Sequence, residues 1–332
     1  MAQHSWTGDL AKRPLGSPGL MVPPICIGCA AVGSIPQVYG YSVTEDQALA
    51  AIRAVFDGPI HFLDTAPSYG DGESERRIGI VLRERGGLPQ DFVLSTKADQ
   101  DMRLGDFSGD QMLRSIERSQ RLLGLERLQL VYLHDPEYGL FENITGPGGA
   151  LDALIRLHDE GVIEHLGVAG GPISLMMRYV QTGAFEAVIT HNRYNLLTHE
   201  AEPLLDLATA RGLAVLNAAP YGSGILAKGP DAYPRFSYRD ALPEVIERAT
   251  LLQSACGRYD VPLAAAALQF SLRDPRITST IVGITHPERV AQTVELATRL
   301  IPDELWEELE RLAGQVPPES YELGWIMPKE RQ

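Results

Sequence analysis

Four side chains capable of chemistry stand where apolar runs stop. Asp64 and Tyr69 end the stretch Phe62-Leu63-Asp64-Thr65-Ala66-Pro67-Ser68-Tyr69-Gly70, Lys97 ends Ser95-Thr96-Lys97, and His134-Asp135 follows an apolar run over 128–133. A tyrosine, with an ordinary pKa of about 10, is a poor acid-base group at neutral pH unless a cation stabilises its phenolate. Lys97 can supply that cation and Asp64 can hold the ammonium in place. His134 can then orient a substrate oxygen toward the Tyr69 hydroxyl, the geometry needed for proton transfer coupled to hydride movement at carbon. A further run ends in His191-Asn192.

Each residue also has a bland explanation. Asp64 suits an N-cap or an Asx-turn at a strand exit, and Tyr69 in a glycine-flanked loop suits packing. Lys97 is one of four lysines, with Lys12, Lys228 and Lys329, yet it directly follows an apolar run. Chance produces the joint placement much less easily than any single residue.

The elements that must position these groups alternate along the chain. Apolar runs over 25–28, 60–63, 92–95, 128–133, 165–168, 187–190, 214–217 and 280–284 read as strands. Amphipathic or capped segments over 44–56, 73–85, 109–123, 150–160, 174–181, 200–210, 244–259 and 287–299 read as the helices that follow them. Continuous apolar runs between amphipathic helices indicate parallel strands buried on both faces. Eight uninterrupted units favour a closed (β/α)8 barrel over an open sheet, and the active site of such a barrel lies at the C-terminal rim of its strands. An N-terminal hairpin over 14–22, a helix over 303–312 and a Pro-rich tail complete an α/β chain read as a single domain over 1–332, with its core at about 13–314 and its tail over 315–332.

Composition bounds the partners. The 332 residues carry a net charge of -14, which argues against a nucleic-acid partner. The first residues lack a signal-peptide apolar core and no run of about 18 apolar residues occurs, so no membrane partner and a cytoplasmic location are expected. Three cysteines cannot all pair within the chain, which argues against a disulfide scaffold at this size, and Cys26-x-x-Cys29 has no second pair to complete a zinc site. The two read as buried thiols on opposite faces of a strand, and no metal is expected.

The motifs Arg13-x-Leu15-Gly16-x-x-Gly19-Leu20, Phe62-Leu63-Asp64-Thr65-Ala66-x-x-Tyr69-Gly70, Ser95-Thr96-Lys97, Leu133-His134-Asp135 and Pro287-Glu288-Arg289 resemble the aldo-keto reductases over about 13–314. The resemblance implies a nicotinamide cofactor and a catalytic tetrad of Asp64, Tyr69, Lys97 and His134, with Tyr69 as general acid or base. The run Leu216-Asn217-Ala218-Ala219-Pro220 and the His134-Asp135-Pro136 turn look like the branch of D-threo-aldose, L-fucose and L-galactose dehydrogenases, which oxidise a sugar at C1 to a lactone. Reduction of other aldehydes or ketones, or pyridoxal-type dehydrogenation, is the neighbouring possibility.

The chain departs from the family pattern at the cofactor. Where the family commonly has Ser-Asn after strand five, Val168 is followed by Ala169-Gly170-Gly171, and where a Gln is usual His191 stands beside Asn192. Carboxamide binding is therefore expected from His191, Asn192 and backbone groups, and Ala218 takes the position of a ring-stacking Tyr. The loop Tyr221-Gly222-Ser223-Gly224 reads as a pyrophosphate cradle, because small residues let backbone N–H groups approach phosphate. Gly283, near a helix N-terminus, and Arg289 are expected at the adenosine end, with NAD favoured over NADP because Gly283-Ile284 stands where NADP-preferring relatives tend to carry Lys-Ser. Tyr39, Tyr138, Phe141 and Trp325 are the substrate-contact candidates, for a small sugar or aldehyde.

Two other readings compete. A lysine at a strand end can form a Schiff base in a lyase, although a neighbouring carboxylate favours the non-nucleophilic ammonium. A barrel can also bind nicotinamide without turnover, as a redox-sensing subunit. The sequence carries no signal of oligomeric state.

Overall fold

The structure, a computed structural model, describes residues 8, 10–15, 19–314 and 316. Eight parallel strands close into a barrel in chain order: Ile25–Gly28, Phe62–Asp64, Val93–Ala98, Leu128–His134, Ile163–Gly170, Ala187–His191, Ala214–Ala218 and Ser279–Gly283, the last pairing back onto the first. All eight fall on the apolar runs of the sequence. Lys97 and His134 lie within their strands rather than beyond them, because the strands run on to Ala98 and His134. The register pairs Asp64 with Ser95, Lys97 with Tyr132 and His191 with Ala218, which brings the polar strand ends to one rim.

Local signals set the helix ends. Thr44 caps Glu45–Phe56 by accepting from the Gln47 N–H at 3.3 Å, and Ser108 caps Gly109–Leu123 by accepting from that of Gln111 at 3.2 Å. One helix departs from expectation. The segment Pro243–Arg258 forms, but it packs with Asp303–Leu312 in a separate apolar cluster containing Leu252, Leu305 and Leu309. The helix that precedes the last strand and touches it is Leu263–Leu272, which the sequence reading omits. Its sequence LAAAALQFSL is buried on nearly every side and carries no polar stripe to reveal a helical period.

Two apolar shells hold the barrel. Cys26, Phe62, Val93, Leu130, Tyr132, Ile189, Leu216 and Ile281 fill the lumen, together with Leu15 and Val22 from the hairpin Arg13–Leu15 and Leu20–Val22. Arg13 donates through Nη1 to the Ile277 carbonyl at 2.9 Å and ties that hairpin to the start of the last strand. Ile27, Leu63, Leu94, Val131 and Val168 face outward against the helices. Cys26 belongs to the lumen and Cys29 to the outer shell, both buried and free, as expected of neighbours pointing to opposite faces. Gly167 leaves room for the Tyr132 ring: a Cβ there would lie 2.4 Å from a ring carbon. Gly167→Ala should therefore cost about 1–3 kcal/mol through overpacking, measured by chemical denaturation.

One buried carboxylate braces the barrel wall. Glu75, on the helix Glu73–Glu84, is fully buried and accepts from Thr96 Oγ1 at 2.6 Å, while its Oε2 has no partner. Burial raises its pKa from 4.5 to about 7, against the hydrogen bond from Thr96. With the folded value above the unfolded one, the contribution to stability is complete below the unfolded pKa and is lost as pH rises through about 7. At pH 8 the ionised group costs on the order of 3 kcal/mol. Glu75→Gln should flatten this loss, which urea unfolding at pH 6 and pH 8 would read.

Candidate active site

At the rim the second and third strands meet through an ion pair. Lys97 Nζ donates to Asp64 Oδ2 at 2.7 Å and to the Thr65 carbonyl at 2.8 Å, and Ser95 Oγ donates to Asp64 Oδ1 at 2.8 Å. Asp64 is 3% exposed and Lys97 is 2% exposed. Removal from water at this depth costs several kcal/mol per ion unless partners are well placed, so each charge holds the other. Two of the three ammonium protons are committed, and the third side of Nζ faces Tyr69, whose ring centroid lies 4.7 Å away.

Tyr69 is aimed by a contact of two backbones. Gly70 adopts a φ of +65°, and a Cβ on it would lie 2.0 Å from the Gly33 carbonyl oxygen; a Cβ on Gly33 would lie 2.6 Å from that of Tyr69. The loop after the second strand is thus pressed onto the turn Ala31–Gly33 by two residues that only glycine can fill. His134 meets the Tyr69 ring edge-on, with centroids 5.9 Å apart. Burial first, and then the Asp64 carboxylate, pushes the Tyr69 phenol well above its ordinary range. The phenol of the free chain is therefore a proton donor at neutral pH.

The structure adds residues that the sequence reading missed. Asp99 receives the His134 ring through Nδ1 and the Ser68 N–H at 2.6 Å. Its signal was available: Asp99 continues the alternation of Ser95 and Lys97 one residue beyond the strand Val93–Ala98. Tyr238 lies 6.1 Å from Tyr39, edge-on, on the tip of the small hairpin Arg235–Phe236 and Arg239–Asp240. Ser237 and Tyr238 at that tip both have positive φ, a strain that neither residue type announces. Glu137 accepts from the Gly171 N–H at 2.9 Å, and its Oε2 has no partner. Burial and then Asp135 raise its pKa to about 7.

The cofactor candidates lie along the same rim. Asn192, with φ of 57°, is 1% exposed; its Oδ1 accepts from Ser223 Oγ at 3.0 Å and its Nδ2 is buried with no partner. Burial lowers the pKa of His191, with Arg193, His134 and Lys97 acting in the same direction, which leaves a neutral ring able to donate and accept. Gly222, Ser223 and Gly224 have successive positive φ values of 56°, 64° and 125°, a run that curls the backbone after Tyr221. A Cβ on Gly283 would meet nothing within 4 Å, and Arg289 donates through Nη1 to Gln292. An unpaired amide donor, a neutral imidazole and a curled glycine loop beside them fit an uncharged carboxamide and an adjoining phosphate.

Among the substrate candidates, Tyr39 stands beside Tyr238. Tyr138 lines a small cavity with Ser68, Asp99, His134 and Asp135. Phe141 packs against Tyr179 at 4.8 Å and under Arg178 at 3.8 Å, so the outer helix Ile173–Gln181 accounts for it. Trp325 lies outside the described residues. Among the described residues no three metal-ligating side chains come together and no helix is long and apolar enough to cross a membrane.

Residues 24–313 match the model of the aldo/keto reductase family. Pyridoxal 4-dehydrogenase of Microbacterium luteolum is 32% identical over 333 residues, covering 89% of this chain and 95% of that protein. D-threo-aldose 1-dehydrogenase of a Pseudomonas species is also 32% identical, over 318 residues, covering 88% and 94%. The solved structure of aldo-keto reductase AKR11C1 from Bacillus halodurans in its holo form superposes with a TM-score of 0.76 at 21% identity, covering 95% of this chain and all of that one. With the barrel closed and these relatives matched across it, the chain belongs to the aldo/keto reductase family and is an NAD(P)-dependent oxidoreductase.

Proposed function

We propose that the chain oxidises an aldose at C1 to a lactone, with NAD preferred to NADP and with Asp64, Tyr69, Lys97 and His134 as its catalytic group. The observation that carries this reading is the meeting of the buried Asp64–Lys97 pair, the Tyr69 ring and His134 at one rim. The 32% identity to a D-threo-aldose 1-dehydrogenase supports the substrate class. Nicotinamide, when bound, supplies the hydride acceptor or donor. His191 and the orphan Asn192 Nδ2 would hold its carboxamide, and the loop Tyr221 to Gly224 its phosphates. Gly283 stands in open space with no cation on it, which supports NAD.

Within this chain, His134 orients the reacting oxygen and Tyr69 exchanges a proton with it, while Lys97 sets the electrostatics of the phenol from one face of its ring. Because the free phenol is held protonated, carbonyl reduction needs no ionisation step. Oxidation of the hemiacetal should accelerate as pH rises, since a proton must first leave the phenol.

Pyridoxal-type oxidation is the second reading, supported by the name of the other 32% relative and by the aromatic walls Tyr39 and Tyr238 beside Tyr69, which suit a planar ring. Titration of NAD and NADP, followed by a panel of aldoses, simple aldehydes and pyridoxal in both directions, tests both. Turnover of aldoses with NAD supports the first; turnover of pyridoxal alone would replace it with the second. Binding of neither nucleotide would contradict both.

A further inference from the structure

One carboxylate touches both sides of the catalytic group. Asp99 is 6% exposed, and its two oxygens are divided between the His134 ring at Nδ1 and the backbone N–H of Ser68, one residue before Tyr69. Its own backbone is fixed as well: Ser115 Oγ accepts from its N–H at 3.0 Å, and Gln111 Nε2 donates to its carbonyl at 3.0 Å. A buried carboxylate needs charge-assisted donors, and those Asp99 uses belong to two different segments of the site.

We propose that Asp99 is a positioning residue of the reaction: it holds His134 with Nδ1–H turned away from the substrate and Nε2 toward it, and with the same carboxylate it fixes the loop that carries Tyr69. This rests on the oxidoreductase reading of the site and deepens it. The tautomer follows from chemistry, since a carboxylate accepts only, so Nδ1 must carry a proton. A neutral ring then offers Nε2 as an acceptor for a hydroxyl, and a charged ring offers it as a donor to a carbonyl oxygen. Other groups face the ring. Asp135 Oδ1 is 3.7 Å from Nε2, and Lys97, Tyr69 and His191 approach from the third strand, the second-strand loop and the sixth strand. Burial and Lys97 push the imidazolium pKa down; Asp135 and Asp99 outweigh them and raise it.

The test is the titration of His134 by nitrogen-15 NMR in the wild type, in Asp99→Asn and in Asp99→Glu. Asp99→Asn offers an amide in place of one oxygen, so the His134 titration should fall by about one pH unit or more and the neutral ring should shift to the Nε2–H tautomer. The limb of the kcat/KM profile for carbonyl reduction that follows the imidazolium should flatten, because a neutral ring with Nε2–H still donates to the carbonyl, and Asp99→Glu should restore part of both. A folded Asp99→Asn protein with an unmoved His134 titration and tautomer would overturn the proposal. If neither variant folds, the wild-type spectrum decides, because an unprotonated Nδ1 in the neutral ring is incompatible with it. These spectra require no turnover, so their failure is separate from failure of the oxidoreductase reading, which would show as an inactive wild type.

Discussion

Tyr69→Phe should lose about 10²- to 10⁴-fold in kcat, the range a positioned general acid or base contributes, while nicotinamide binding stays close to wild type. The substitution removes one oxygen and leaves the ring, so the stacking that organises the rim survives: the Lys97 ammonium still sees the ring face at 4.7 Å and His134 still meets its edge. The residues fitted to the cofactor, from His191 to Gly224, lie on other strands and loops. Fluorescence titration with the nucleotide and steady-state kinetics on the same preparation separate the two effects. A fall in affinity without a fall in kcat would assign Tyr69 to binding rather than proton transfer.

Lys97→Met should destabilise the fold by about 3–5 kcal/mol, because it strands the Asp64 carboxylate in a site that is 3% exposed. Ser95 would remain as a donor to Asp64, but a hydroxyl does not replace a cation. The double variant Asp64→Asn/Lys97→Met removes both charges and should recover much of the loss, which distinguishes a buried unpaired charge from a simple packing defect. Activity should stay lost in both variants, since neither restores the cation on the Tyr69 ring. Denaturant melts of the two singles and the double form the cycle that isolates the coupling.

The parts of this molecule legible in its sequence are those governed by local pattern. Eight apolar runs are eight strands, and the residues ending four of them, Asp64, Lys97, His134 and His191, stand at one rim because parallel strands in a barrel all point the same way. Leu263–Leu272 escaped because a helix buried on nearly every side has no polar stripe. Asp99 ends no apolar run, since it stands two residues past Lys97 and one past the strand Val93–Ala98. Tyr238 was illegible for a different reason. Its hairpin has two-residue strands, and its turn uses Ser and Tyr at positive φ where Asn or Gly would have announced it. Phe141, expected at the substrate, packs against Tyr179 and under Arg178 of an outer helix.

The substrate is the central claim, and product formation tests it most directly. Purified protein incubated with NAD and a D-threo-configured aldose should form reduced nicotinamide and lactone in equal amounts, with the rate rising as pH rises through the alkaline range. Reduced nicotinamide with neither lactone nor the aldonate to which it hydrolyses, or no reaction with any aldose while pyridoxal or simple aldehydes turn over, would contradict oxidation at the sugar C1.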